Sequence, residues 1–154
     1  MVDRGLKFSL WLDFVERDFL KNRFSELIEA GIINGATSNP AIFASAITTS
    51  PAYREQLASL EGKCAKEKYE ALAIEDIRTA AQVLRPAYDT ANDGYISIEV
   101  DPFLSHDTEG TIEEGKRLFK AIGEPNVMIK VPATHAGYAA MKELLSMGIS
   151  VNAT

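Results

Sequence analysis

Two hydrophobic periods alternate along this sequence, and that alternation constrains the fold more than any single residue. Residues 8–13, 32–39, 95–101, 127–131 and 149–154 change polarity at every second position, as strands with two unlike faces do. Residues 14–30, 111–122 and 137–147 carry apolar side chains at helical spacing. The stretch 41–90 is helical as well, with breaks expected at Ser50-Pro51 and Glu61-Gly62. Its strongest part, 66–88, has a core stripe of Tyr69, Leu72, Ala73, Ile77, Ala80, Ala81 and Leu84. Gly31, Gly123 and Gly148 stand where helices should stop, and Pro40 and Thr134 where helices should start. Asn34-Gly35 reads as a glycine inside a packed strand, because no antiparallel partner flanks it; 92–94 reads as a turn. The predicted order is β-α-β-α-α-β-α-β-α-β, which implies parallel strands because each helix returns the chain to the same end of the sheet.

The strand faces narrow the choice. One face is apolar: Leu10/Leu12, Ile32/Ala36 with Asn34 between them, Ile96/Ile98/Val100, Val127/Ile129/Val131 and Ile149/Val151/Ala153. The other turns polar towards the C-terminal end: Asp13, Thr37 and Asn39, Glu99 and Asp101, Lys130, Asn152 and Thr154. A sheet covered by helices on both faces should be apolar on both. A β/α barrel has helices only outside, and its lining turns polar at the mouth where strands end. The expectation is therefore an α/β fold, the N-terminal half of a (β/α)8 TIM barrel with outer helices. A complete barrel takes ~250 residues and at least ~200. Residues 1–154 are thus read as a single partial domain: the first four to five β/α units, cut within the fifth strand. Open strand edges make self-association an expected property.

Composition removes several functions. The net charge of -6 disfavours nucleic acid and anionic membranes as partners. No apolar run is long enough to span a bilayer, and residues 1–6 carry no leader pattern, so a cytoplasmic protein is expected. The single Cys64 and the scattered His106 and His135 make no zinc pattern. No glycine-rich nucleotide motif occurs.

Lys130 lies in the middle of a short apolar strand. Burying an ammonium is costly, and losing the proton leaves a nucleophilic amine suited to Schiff-base chemistry. The plain alternative is a lysine that reaches solvent along its own stem. Glu99, on the same face, reads as a general acid/base or as a salt-bridge partner of Lys130. Asp13 reads as a base or as a helix N-cap. Asn39, with Thr37 below it, reads as a pair of hydroxyl-binding groups or as an ordinary turn opener. Asn152 and Thr154 share the face of the others. Asp101, followed by Pro102, reads as a loop starter.

The motifs Thr37-Ser38-Asn39-Pro40, Ile98-Glu99-Val100-Asp101, Met128-Ile129-Lys130-Val131-Pro132-Ala133-Thr134 and Val151-Asn152-Ala153-Thr154, with Trp11 and Asp13 ahead of them, resemble the successive strand-end motifs of transaldolases. The resemblance runs through the whole chain in order, matches the N-terminal half of those enzymes, and is strongest to the epsilon-proteobacterial type. It implies a class I aldolase needing neither metal nor organic cofactor. Such an enzyme moves a dihydroxyacetone unit between sugar phosphates of the pentose phosphate pathway. Carried over by motif, Lys130 is the Schiff-base lysine. Glu99 works through a water held also by Thr154, and Asp13 exchanges a proton with the sugar's C4 hydroxyl. Asn39 and Asn152 hold the dihydroxyacetone moiety, with Thr37 in support. The basic residues that grip the phosphate are implied to lie beyond Thr154, so residues 1–154 alone are expected to be inactive or nearly so. Two other readings stand beside this one: an aldolase of the fructose 6-phosphate type, against which Glu99 argues, and a non-catalytic half-barrel.

Overall fold

The computed structural model describes residues 8–91 and 93–154; residues 1–6, read above for a leader, and Asn92 of the expected turn lie outside them. The elements are β1 (Trp11–Leu12), α1 (Arg17–Lys21), α2 (Arg23–Glu29), β2 (Gly35–Thr37) and α3 (Pro40–Thr49). A 3-10 turn (Pro51–Tyr53), α4 (Arg54–Ser59), α5 (Ala65–Ala91) and β3 (Ile96–Glu99) follow. A second 3-10 turn (Pro102–Leu104), α6 (Thr108–Ile122), β4 (Val127–Val131), α7 (His135–Ser146) and β5 (Val151–Ala153) complete the order.

The five strands pair in sequence order, β1-β2-β3-β4-β5, and every pair is parallel. A doubly wound sheet reverses its strand order at a switch point; this one never does. Sequential order with right-handed crossovers keeps the helices on one side of the sheet, and that is the first half of a β/α barrel. The apolar face meets the helices. Ala36, Ile96, Ile98, Val100, Val127, Ile129 and Val131 are buried, in one cluster with Ala73, Ile77, Ala80, Ala81 and Leu84 of α5 and with Leu118, Met141 and Leu144. Burying each Ile or Val contributes roughly 1.5–3 kcal/mol. A one-residue slip would turn that whole face into the lining, so burial fixes the register.

Some boundaries differ from the sequence reading, each for a local reason. The expected first helix is two helices, split at Asn22, whose side-chain amide donates to the Asp18 carbonyl at 2.7 Å and competes with the helical ladder. The second strand starts only at Gly35, and Ile32 is 52% exposed, because the N–H groups of Ile32 and Ile33 both turn back to the Leu27 carbonyl. Helix α6 begins at Thr108 because Asp107 caps it through the Gly110 N–H at 3.0 Å. Thr134 caps α7 through the Gly137 N–H at 2.9 Å, as the sequence suggested, but the helix begins at His135. Strand β1 is short, and Phe8 and Leu10 before it stay exposed at the sheet's edge.

Two contacts hold the strands in place. Gly35 sits under the indole of Trp11: a Cβ on Gly35 would lie 2.7 Å from the Trp11 ring and 2.7 Å from the Tyr95 carbonyl oxygen. At the N-terminal end of the sheet, the fully buried Asn126 donates from Nδ2 to the carbonyls of Ala81 and Gly94, each at 2.8 Å. Its own carbonyl accepts from the Ile96 N–H at 3.1 Å. One side chain thereby ties α5, the entry to β3 and the entry to β4.

Candidate active site

The face turned away from the helices carries Thr37 on β2, Ser97 and Glu99 on β3, Met128 and Lys130 on β4, and Asn152 on β5. The register pairs Thr37 with Ser97, Glu99 with Lys130, and Lys130 with Asn152. Lys130 Nζ lies 3.6 Å from Glu99 Oε2, and the two side chains are only 14% and 16% exposed. Two largely buried ionisable side chains thus stand side by side, each the other's partner where little water reaches them. Tyr69 of α5 feels the same carboxylate. Its phenol is pushed up to about 12 by burial first and then by the charges of Glu99 and Glu70.

A polar chain crosses the lining beside this pair. Thr37 Oγ1 and Ser97 Oγ are 2.6 Å apart, and Asn152 Nδ2 donates to Ser97 Oγ at 3.1 Å. Asn152 therefore reaches past β4 to meet β3. In a barrel the tilt of the strands makes side chains of alternate strands share one layer. The Ser97–Asn152 contact gives the step: two strands over, two residues back from the lateral partner.

Each expected site residue has a definite place. Lys130, Glu99, Thr37 and Asn152 come together on the lining. Asn39 is half-buried at the start of α3, where its Oδ1 accepts from the Ile42 N–H at 3.0 Å; the turn-opening role is real. Among the described residues its Nδ2 has no partner. Asp13 is exposed just past β1, and it is not a helix cap: Glu16 caps α1 through the Phe19 N–H at 2.8 Å. Thr154 continues the β4–β5 pairing through its backbone, its N–H donating to Val131 at 3.1 Å and its carbonyl accepting from Ala133 at 2.8 Å. Asp101 points to the outside, where it pairs with Lys66 and accepts from the Phe103 N–H at 3.0 Å, opening the loop after β3. Cys64 is exposed immediately before α5.

Sequence reasoning passed over Ser97, which is fully buried at the centre of the polar chain. The signal was present: Ser97 precedes Glu99 by two positions and so shares its face.

Comparison with known proteins bears on this lining. A family model described as Transaldolase/Fructose-6-phosphate aldolase matches residues 10–154. A protein named transaldolase from Helicobacter pylori is 54% identical over 149 residues, covering 96% of this chain and 47% of its own length. One of the same name from Campylobacter jejuni is 55% identical over 147 residues, covering 96% of this chain and 45% of its own. The chain spans about half the length of the curated relatives it matches. Both are of the epsilon-proteobacterial type that the motifs resembled. A family match over nearly the whole chain, on a sequentially ordered β/α sheet whose lining carries the motif lysine, makes this chain a member of the transaldolase/fructose-6-phosphate aldolase family.

Proposed function

We propose that the chain carries the carbon-chemistry side of a transaldolase: Schiff-base transfer of a dihydroxyacetone unit between sugar phosphates. The observation that carries this reading is the Lys130–Glu99 pair, 3.6 Å apart on the lining, beside the hydrogen-bonded side chains of Thr37, Ser97 and Asn152. Lys130, once unprotonated, attacks the donor's ketone carbon. Glu99, through a water held also by Thr154, moves the protons that turn the carbinolamine into an iminium and expel water. The iminium withdraws the electron pair of the C3–C4 bond while Asp13 takes the proton of the C4 hydroxyl. The first aldehyde leaves and an enamine remains on Lys130. That enamine adds to the second aldehyde, Asp13 returns its proton, and hydrolysis frees Lys130. Asn39 and Asn152 hold the hydroxyls of the three-carbon unit, and Thr37 supports them. Glu99 favours the donor sedoheptulose 7-phosphate or fructose 6-phosphate with an aldehyde-phosphate acceptor, over donor cleavage alone.

Sodium borohydride reduction with fructose 6-phosphate tests this in the protein at its natural length. The expected product is a stable three-carbon adduct mapped to the peptide holding Lys130, and Lys130→Met removes it. An adduct on another lysine, or none, overturns the mechanism. Product formation only when an acceptor aldehyde is present supports transfer; equal release of dihydroxyacetone without acceptor supports the fructose 6-phosphate aldolase reaction.

A further inference from the structure

We infer that Ser97 is a positioning residue, whose hydroxyl fixes what Asn152 and Thr37 present to the dihydroxyacetone unit; the inference rests on the function proposed above. Asn152 Nδ2 can only donate, so Ser97 Oγ is the acceptor of that bond at 3.1 Å. Ser97 is fully buried, and its own proton needs an acceptor. Among the described residues the acceptor in reach is Thr37 Oγ1 at 2.6 Å. If Thr37 donated instead, the Ser97 proton would be buried without a partner, which the general cost of orphaned donors disfavours. The protons therefore run from Asn152 to Ser97 to Thr37. This leaves Asn152 Oδ1 free to accept from a substrate hydroxyl and the Thr37 O–H free to donate. Ser97 touches no substrate in this arrangement; it sets the polarity of two groups that do. Its place on β3, one layer with Asn152 and lateral to Thr37, is what lets a single hydroxyl reach both.

Two measurements on the protein at its natural length test this. The first needs no substrate: with selective 15N-asparagine labelling, the Asn152 side-chain amide is expected to exchange slowly with solvent in the wild type and in Ser97→Thr, and fast in Ser97→Ala. Unchanged exchange in Ser97→Ala overturns the inference. The second compares Ser97→Thr with Ser97→Val, which have nearly the same shape and differ by the hydroxyl, so packing strain is common to both. We expect kcat/KM for fructose 6-phosphate to be roughly 10-fold higher in the threonine variant, the worth of about one hydrogen bond. Ser97→Ala and Asn152→Ala should not multiply in their effects. Equal activity of the Thr and Val variants, or fully multiplicative losses, overturns the inference while Lys130 trapping keeps the proposed function intact. Absence of trapping in the wild type overturns the proposed function alone, and the amide exchange still decides the role of Ser97.

Discussion

Replacing Asn126 should loosen the pairing that brings Glu99 and Lys130 together, although Asn126 lies at the opposite end of both strands. Its Nδ2 serves two buried carbonyls at 2.8 Å. In Asn126→Ala, the Gly94 carbonyl is left without that donor at a cost of about 1–3 kcal/mol. The Ala81 carbonyl keeps its place in the α5 ladder and loses only a second bond, worth about 0.5–1.5 kcal/mol. The truncated side chain leaves a small cavity in addition. Against this, Asn126 Oδ1 is itself buried without a partner among the described residues, so deleting it relieves part of the loss. The net expectation is about 2–3 kcal/mol, a large share of the ~5–15 kcal/mol that holds a domain together. Urea unfolding followed by circular dichroism measures it; with a slope of ~2 kcal/mol per molar, the midpoint should fall by about 1 M or more. Asn126→Asp sharpens the test. The introduced carboxyl faces two carbonyl oxygens and needs its proton to donate to either. Its folded-state pKa is therefore raised, so its contribution to stability is fully present below the ordinary value near 3.9 and is lost as pH rises. The variant should come nearest to wild-type stability at about pH 3, short of it by the one bond a single carboxyl proton cannot make, and fall further behind by up to ~1.4 kcal/mol per pH unit above about pH 4. A loss under about 0.5 kcal/mol in Asn126→Ala, or a pH-independent Asn126→Asp, would refute the claim that these two bonds tie the strand entries together.

Gly137→Ala should be more damaging than its size suggests, because the new Cβ would lie 1.9 Å from the Pro132 carbonyl oxygen, two residues past Lys130. Backbone must move, so a loss of about 3 kcal/mol and a Tm lower by roughly 6–12 °C are expected in calorimetry; an unchanged Tm contradicts it. Lys66→Ala should release Asp101. The Lys66 hydrogen bond, and then the Phe103 N–H, hold that carboxyl below the usual range. A depressed carboxyl stabilises above its unfolded value and loses that contribution as pH falls through the folded one. Lys66 is 64% exposed, so the effect at pH 7 should stay under about 1 kcal/mol and fade in acid and in high salt. Carboxyl-carbon NMR of Asp101 reads the shift directly, and no movement in Lys66→Ala would argue against the pairing.

The fold was largely legible because it rests on periodicity. Strand β4 runs over the residues whose alternation announced it, and the stripe of α5 is buried where helical spacing placed it. Less was legible where a single side chain competes with the backbone: Asn22 splits a helix, and Asp107 starts one early. At the site, alternation correctly gathered Thr37, Glu99, Lys130 and Asn152 on one face. It did not separate Asp101 from them, although Asp101 turns outward to Lys66. Nor did it assign Ser97 a part: alternation puts Ser97 on the face of Glu99 but does not say which side chains from β2 and β5 it meets.

The sequence by itself determined the parallel order of the strands, the division of each strand into an apolar and a polar face, and the placing of a lysine in the polar one. These follow from local spacing and from the cost of exposing apolar or burying charged groups. Only the tertiary structure decided which polar side chains meet. Burial of the outer face locks the register and sets Glu99 beside Lys130, while the tilt of the strands carries Asn152 past its lateral neighbour to Ser97. Contacts of that kind depend on the stagger between strands distant in sequence, and spacing along one strand does not encode it.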